Sequence, residues 1–156
     1  MNYQVSSTFG NIYLSPRPNF AVLKNFYIES KARMFWMKEL WPRTQEMRYK
    51  KIIYPQLEWA RNFISQYSTQ KTITIAEFLP NHWAYYLGAD KVFHSHTYHI
   101  IEPLFDTSLK MGISKGIETS DLNDDSIDVA FLFEALERST DPLALLEQVK
   151  LVLKPG

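Results

Sequence analysis

The sequence predicts an α/β fold, a partial doubly wound parallel sheet preceded by a helical segment. Three short β-branched apolar runs lie in the rear half, at residues 73–78 (ITIAEF), 98–101 (YHII) and 127–133 (IDVAFLF). Helical patterns separate or follow them, and strands alternating with helices point to parallel pairing through crossovers. The third run is apolar at consecutive positions, as a strand covered on both faces requires. The length of 156 residues suits one domain-sized body. The change of character near residue 70 divides it into an N-terminal helical segment (1–70) and a sheet-forming part (71–156) carrying strands one to four.

In chain order, residues 1–19 read as an irregular lead punctuated by Gly10, Pro16 and Pro18. From Phe20 to Tyr67 the pattern is helical and interrupted by prolines. Ser30 is suited to cap a helix that runs to about Leu40, and Trp41-Pro42 is expected to end it, because the residue before proline is pushed out of the α region. Thr44 is expected to cap a second helix, and Pro55 suits the first turn of a third. Leu57, Ala60, Ile64 and Tyr67 recur at helical spacing as that helix's buried face. A further helix is expected at 82–87. At the end, Asp141 is an N-cap with Pro142 after it. Leu143, Leu146, Val149 and Leu153 form the expected apolar stripe, and Pro155-Gly156 is the stop.

Composition narrows the function classes. The chain is 46% apolar and 22% charged, an ordinary globular balance. With no cysteine it has no disulfide, thiolate metal site or cysteine nucleophile. Its start lacks a basic region followed by an apolar run, and no apolar stretch is long enough to span a bilayer, so a soluble cytoplasmic protein without membrane contact is expected. Residues 1–71 carry 11 Lys/Arg against 4 Asp/Glu, and residues 72–156 carry 6 against 13, so a +7 front faces a −7 rear. The front cations are spread along helices rather than clustered, which disfavours nucleic acid as a partner. His82, His94, His96 and His99 are weighed as metal ligands and set aside: His94 and His96 would share one strand face with His99 on the other, and no acid lies in that run. The expected metal content is none.

In a doubly wound sheet, ligands bind beyond the carboxyl ends of the strands where the strand order reverses. Those ends carry Glu77-Phe78, Glu102-Pro103, Asp121-Leu122 and Phe133-Glu134. A carboxylate closing the second strand has two acceptor oxygens for a ribose diol, and Asp121 is able to accept from an adenine amino group. The plainer alternative is that these are solvated acids at strand ends.

Residues 120–156 (SDLNDDSIDVAFLFEALERSTDPLALLEQVKLVLKPG) resemble the stretch around the fourth strand of class I S-adenosylmethionine-dependent methyltransferases. The matching positions are Asp121-Leu122, Asp128, Glu134, Leu136-Glu137, Asp141-Pro142 and the closing Leu153-Lys154-Pro155-Gly156, with Arg138 where a histidine is usual. The front helices are similar to the segment before the core in a subgroup that begins with a zinc ribbon. The matches there are Pro16-Arg17-Pro18, Tyr27 with Ser30, Trp36, Pro42 with Thr44, and Arg48 with Ile52 and Pro55.

The resemblance implies a Rossmann-like half-domain under a helical lid and S-adenosylmethionine as cofactor. The cofactor would be held near Glu77, Asn81, Glu102, Asp121, Leu122 and Phe133. The acceptor would be a small molecule such as a sugar or other metabolite. Glu134, Glu137 and Tyr27 are the candidate bases. Two departures bear on it. After Glu77 the family's glycine-rich turn is replaced by Phe78-Leu79-Pro80-Asn81-His82-Trp83. That segment has no glycine, lacks one N–H donor at Pro80, and has Leu79 and Trp83 where the cofactor's amino-acid end would sit. The family's later strands do not follow Gly156, so the sheet edge is expected to serve as a homodimer face, to be covered by the front helices, or to continue in a longer chain. The alternative is a non-catalytic methyltransferase-like binding or assembly domain that has lost the cofactor.

Overall fold

A computed structural model describes residues 2–80, 92–101 and 121–156, apart from the side chains of Arg33 and Met37. Its centre is a three-stranded parallel sheet. Strand β3 (Thr74–Phe78) lies between β4 (Thr97–Ile101) and β5 (Val129–Phe131), paired in register Ile75 with Tyr98 and Ile75 with Val129. The chain is mixed α/β, as expected. Ile127 also bridges in parallel to Leu153, so the segment after the last helix runs beside the start of β5. β5 is shorter than the expected 127–133 because its pairing with β3 ends at Phe131, opposite Glu77.

Strand alternation sorts the side chains into two cores. Ile73, Ile75 and Phe131 point to one face, where Ile53, Leu57 and Ala60 cover them together with Val92 and Phe93. Ala76, Phe78, Ile101 and Ile127 point to the other face, covered by Leu145, Val149 and Val152. The first core draws on both sides of residue 70, because helix α4 (Tyr54–Tyr67) is one of its layers.

The front of the chain differs from the expectation in several places. Residues 1–19 are not wholly irregular: β1 (Asn2–Val5) and β2 (Ile12–Ser15) form an antiparallel hairpin, with Val5 opposite Ile12 and Gly10 in the turn at φ 69°. The alternation of Tyr3, Val5, Ile12 and Leu14 is the strand signal that the punctuating residues obscured. Asn19 then caps α1 (Phe20–Glu29) by accepting the Val22 N–H at 2.9 Å. Ser30 leaves the helical region at ψ 110°, and α2 (Lys31–Phe35) follows.

From there the helix does not end at Trp41-Pro42. It continues through a π-turn (Trp36–Leu40), α3 (Trp41–Arg48), a second π-turn (Tyr49–Ile53) and α4. The Trp41 N–H bonds to the Trp36 carbonyl and the Tyr54 N–H to the Tyr49 carbonyl, each five residues back and each just before a proline. A proline inside an α-helix removes one N–H and drives its ring into a carbonyl of the preceding turn. Widening that turn by one residue moves the carbonyl aside, so the break expected from Pro42 becomes a bulge. Thr44 accordingly lies within the helix rather than capping it, and its hydroxyl donates to the Leu40 carbonyl at 2.8 Å.

On α4, Leu57 and Ala60 are buried and Ile64 packs against them, but Tyr67 is exposed and extends an outer aromatic row with Trp59 and Phe63. The last helix, α5 (Pro142–Val152), starts where expected: Asp141 accepts the Leu143 and Ala144 N–H groups at 3.1 Å each. Its buried stripe is Leu145, Val149 and Val152; Leu143 and Leu146 are exposed, and Leu153 lies past the helix. A run as rich in leucine as LALLEQVKLVL permits several overlapping stripes, and the sheet selected one. Among the described residues, no helix is long and apolar enough to cross a membrane.

Asp128 anchors the amino end of the sheet. Its carboxylate accepts the Thr74 N–H and the Lys154 ammonium, each at 2.7 Å, while its own N–H donates to the Thr74 carbonyl. Partial burial pushes this carboxyl up, but the hydrogen bonds from Lys154 and Thr74 outweigh it and leave the pKa lowered.

Candidate functional site

The order β4-β3-β5 makes the carboxyl end of β3 the point where successive strands pass to opposite sides. This is where an open parallel sheet leaves a crevice. Glu77 is the penultimate residue of β3 and is 1% exposed. It belongs to the first core's face, where the Tyr98 hydroxyl of β4 donates to its Oε2 at 2.5 Å. Burial, and then the Glu77 carboxylate beside it, hold the Tyr98 phenol well above its ordinary value, so Tyr98 stays a donor at neutral pH. An aromatic wall surrounds the pair: Phe93 lies 6.3 Å from the Tyr98 ring and 5.5 Å from Phe131, and Phe133 lies 5.2 Å from Phe131.

At Leu79 the chain turns with φ 49°, a conformation costly for a side chain of this size. Both its backbone groups are held. The N–H donates to the Ile101 carbonyl at 2.8 Å, and the carbonyl accepts from Arg138 Nη1 at 2.5 Å. The Leu79 side chain is buried in the second core. The positive φ that glycine would supply freely is thus adopted by leucine and pinned by tertiary contacts. Glu134, just past β5, has φ 52° and an exposed side chain. Two residues in left-handed backbone therefore follow adjacent strands at the same end of the sheet, and such outliers cluster at functional sites.

Arg138 ends a short 3-10 turn (Leu136–Arg138) and is 6% exposed. Its guanidinium carbon lies 5.4 Å from the centre of the Tyr27 ring of α1, within cation–π range. Next to it the Ser139 carbonyl accepts from Arg17 Nη1 at 3.0 Å. Arg17, Tyr27, Arg138 and Leu79 thus form a chain of contacts from the front of the molecule to the turn after β3.

Of the residues singled out from sequence, Asn81, Glu102 and Trp83 lie outside the described residues, as does the 82–87 helix. Leu122 and Tyr27 pack on the second core, the one that holds Leu79, whereas Glu77 and Phe133 are on the opposite face. Asp121, Glu134 and Glu137 are exposed. His94 and His96 precede β4 instead of sharing a strand face; His94 is exposed and His96 Nδ1 accepts the Ile73 N–H at 3.3 Å. Sequence reasoning missed Tyr98 as the partner of Glu77 and noted Arg138 only as a departure. A signal for Arg138 was present, since it is the only cation between Lys115 and Lys150 in an acidic stretch.

Compared with known proteins, the chain matches no family model, no curated protein and no solved structure.

Proposed function

We propose that this chain is a Rossmann-like S-adenosylmethionine-dependent methyltransferase, or the N-terminal portion of one, acting on a small-molecule acceptor, a sugar or other metabolite, in the cytoplasm. The observation that carries the reading is the left-handed turn at Leu79, at the carboxyl end of the central strand of a parallel sheet whose order reverses there. Positive φ is one property that a glycine loop supplies at this place; here leucine adopts it, with its N–H given to Ile101 and its carbonyl to Arg138. The motif resemblance over residues 120–156 supports the same reading.

The side chains fit the cofactor only in part. Leu122 and Phe133 are half-buried apolar groups but pack on opposite cores, and Asp121 is exposed. The Glu77 carboxyl, however, is buried and engaged by Tyr98, so as placed it does not reach a ligand, and no catalytic step is derived through the cofactor.

The experiment is calorimetric and thermal titration with S-adenosylmethionine and with its demethylated product. At ligand about 100-fold above its dissociation constant, stabilisation of about 2.7 kcal/mol is expected. For a chain of this size that corresponds to roughly 5–11 °C in Tm. No heat and no thermal shift at millimolar ligand would overturn the reading. Glu77's burial favours a second reading, a methyltransferase-like binding or assembly domain without cofactor, and that negative result is what it requires.

A further inference from the structure

We infer that α1 and the lead into it (residues 16–30) form a strap that opens separately from the sheet and is latched over the turn after β3 by Arg138 and Arg17. The helices differ in how they are held. α4 buries Leu57 and Ala60, and α5 buries Leu145, Val149 and Val152, whereas α1 buries no residue. Only Leu23 and Tyr27 of α1 are half-buried, both against the second core, and the other eight residues of the helix are exposed. So little apolar contact gives weak hold, because buried apolar area is the main force that keeps a helix docked.

Among the described residues, two contacts of the strap converge on the turn that carries Arg138. Arg17 reaches the Ser139 carbonyl, and the Tyr27 ring packs on the guanidinium of Arg138, which at the same time holds the Leu79 carbonyl. At its far end the strap meets Ser30, whose extended backbone separates α1 from the long helix and serves as the hinge.

Arg138 is therefore shared between the strap and the strained Leu79 turn, and each steadies the other through it. When the strap is closed, Tyr27 fixes the guanidinium and Leu79 keeps its left-handed turn. When it opens, the second-core side of the carboxyl edge is uncovered and the turn loses a constraint. The device does not depend on which ligand binds at that edge.

Native-state hydrogen exchange on the full chain tests this. In the wild type, amides of α1 are expected to exchange as a group at least tenfold faster, relative to their intrinsic rates, than those of Ile75 to Glu77. Tyr27→Leu keeps apolar packing but removes the π-face together with the hydroxyl, and should speed α1 exchange about tenfold while leaving the β3 amides unchanged; Tyr27→Phe, which removes the hydroxyl alone, should not. Arg17→Gln should act as Tyr27→Leu does, more weakly. Arg138→Lys should speed both α1 and the Leu79 amide, and combined with Tyr27→Leu should add little further to α1.

Equal protection of α1 and β3 in the wild type would overturn the separate strap, and unchanged α1 exchange in Tyr27→Leu would overturn the latch. Tyr27 is half-buried and Arg17 exposed, and neither variant touches the bond from Arg138 to the Leu79 carbonyl, so the two decide the matter even if Arg138→Lys does not fold.

Discussion

Replacing Arg138 with methionine should destabilise the protein far more than its turn position suggests. Methionine retains most of the apolar stem, so what is lost is the guanidinium. A hydrogen bond from a charged donor to a buried carbonyl is worth about 1.5–3 kcal/mol, and the Leu79 carbonyl remains in place after its donor is removed. The contact with the Tyr27 ring adds about 0.5–2 kcal/mol for a cation this well buried. Because removing the guanidinium ends both together, a loss of about 3 kcal/mol is expected, which is roughly 6–12 °C in Tm for a domain of this length. Urea unfolding followed by circular dichroism should show the midpoint falling by about 1–2 M at an unchanged slope. Arg138→Lys, which restores a charge without the planar fork, should recover only part of the loss. A change below about 0.5 kcal/mol in Arg138→Met would refute the claim that this guanidinium pins the Leu79 turn.

Two further outcomes follow from the polar anchors. Tyr98→Phe removes the hydroxyl that donates to buried Glu77 and should cost about 1.5–3 kcal/mol in the same assay. Because Tyr98's pKa is raised in the native state, its contribution holds below the ordinary phenol value of 10.0 and is lost as pH rises above it, so the wild type should weaken at alkaline pH more than the variant does. Asp128→Asn should cost about 1 kcal/mol at pH 7, a modest figure because Lys154 is 44% exposed and solvent screens the pair. Asp128's pKa is lowered by folding, so its contribution is present above the unfolded value of 3.8 and disappears as pH falls through the native one. Wild type and variant should therefore converge as pH falls below 3.8, and a difference that grew in acid would contradict the assignment.

The sequence by itself determined where the sheet-forming runs lie, that their pairing is parallel, and how α5 begins. Those features are local. β-branched runs, an Asp-Pro cap and helical spacing act through neighbours in the chain, and the structure has strands and a cap at those places.

What only the tertiary structure decided were the choices that local chemistry leaves open. Pro42 predicts a break, yet a π-turn costs less than ending a helix whose continuation, through α4, supplies one core. The leucines of α5 allow several faces, and contact with the sheet chose Leu145, Val149 and Val152. Leu79 has no intrinsic preference for positive φ, and no reading of neighbours would put it there. It is held by the Ile101 carbonyl, distant in sequence, and by an arginine that follows a different strand. For the same reason the candidate site was only half legible. Glu77 stands at the strand end that the spacing indicated, but which face it points to, and that Tyr98 occupies its oxygen, depend on register between strands, and a shift of one residue would reverse every side chain.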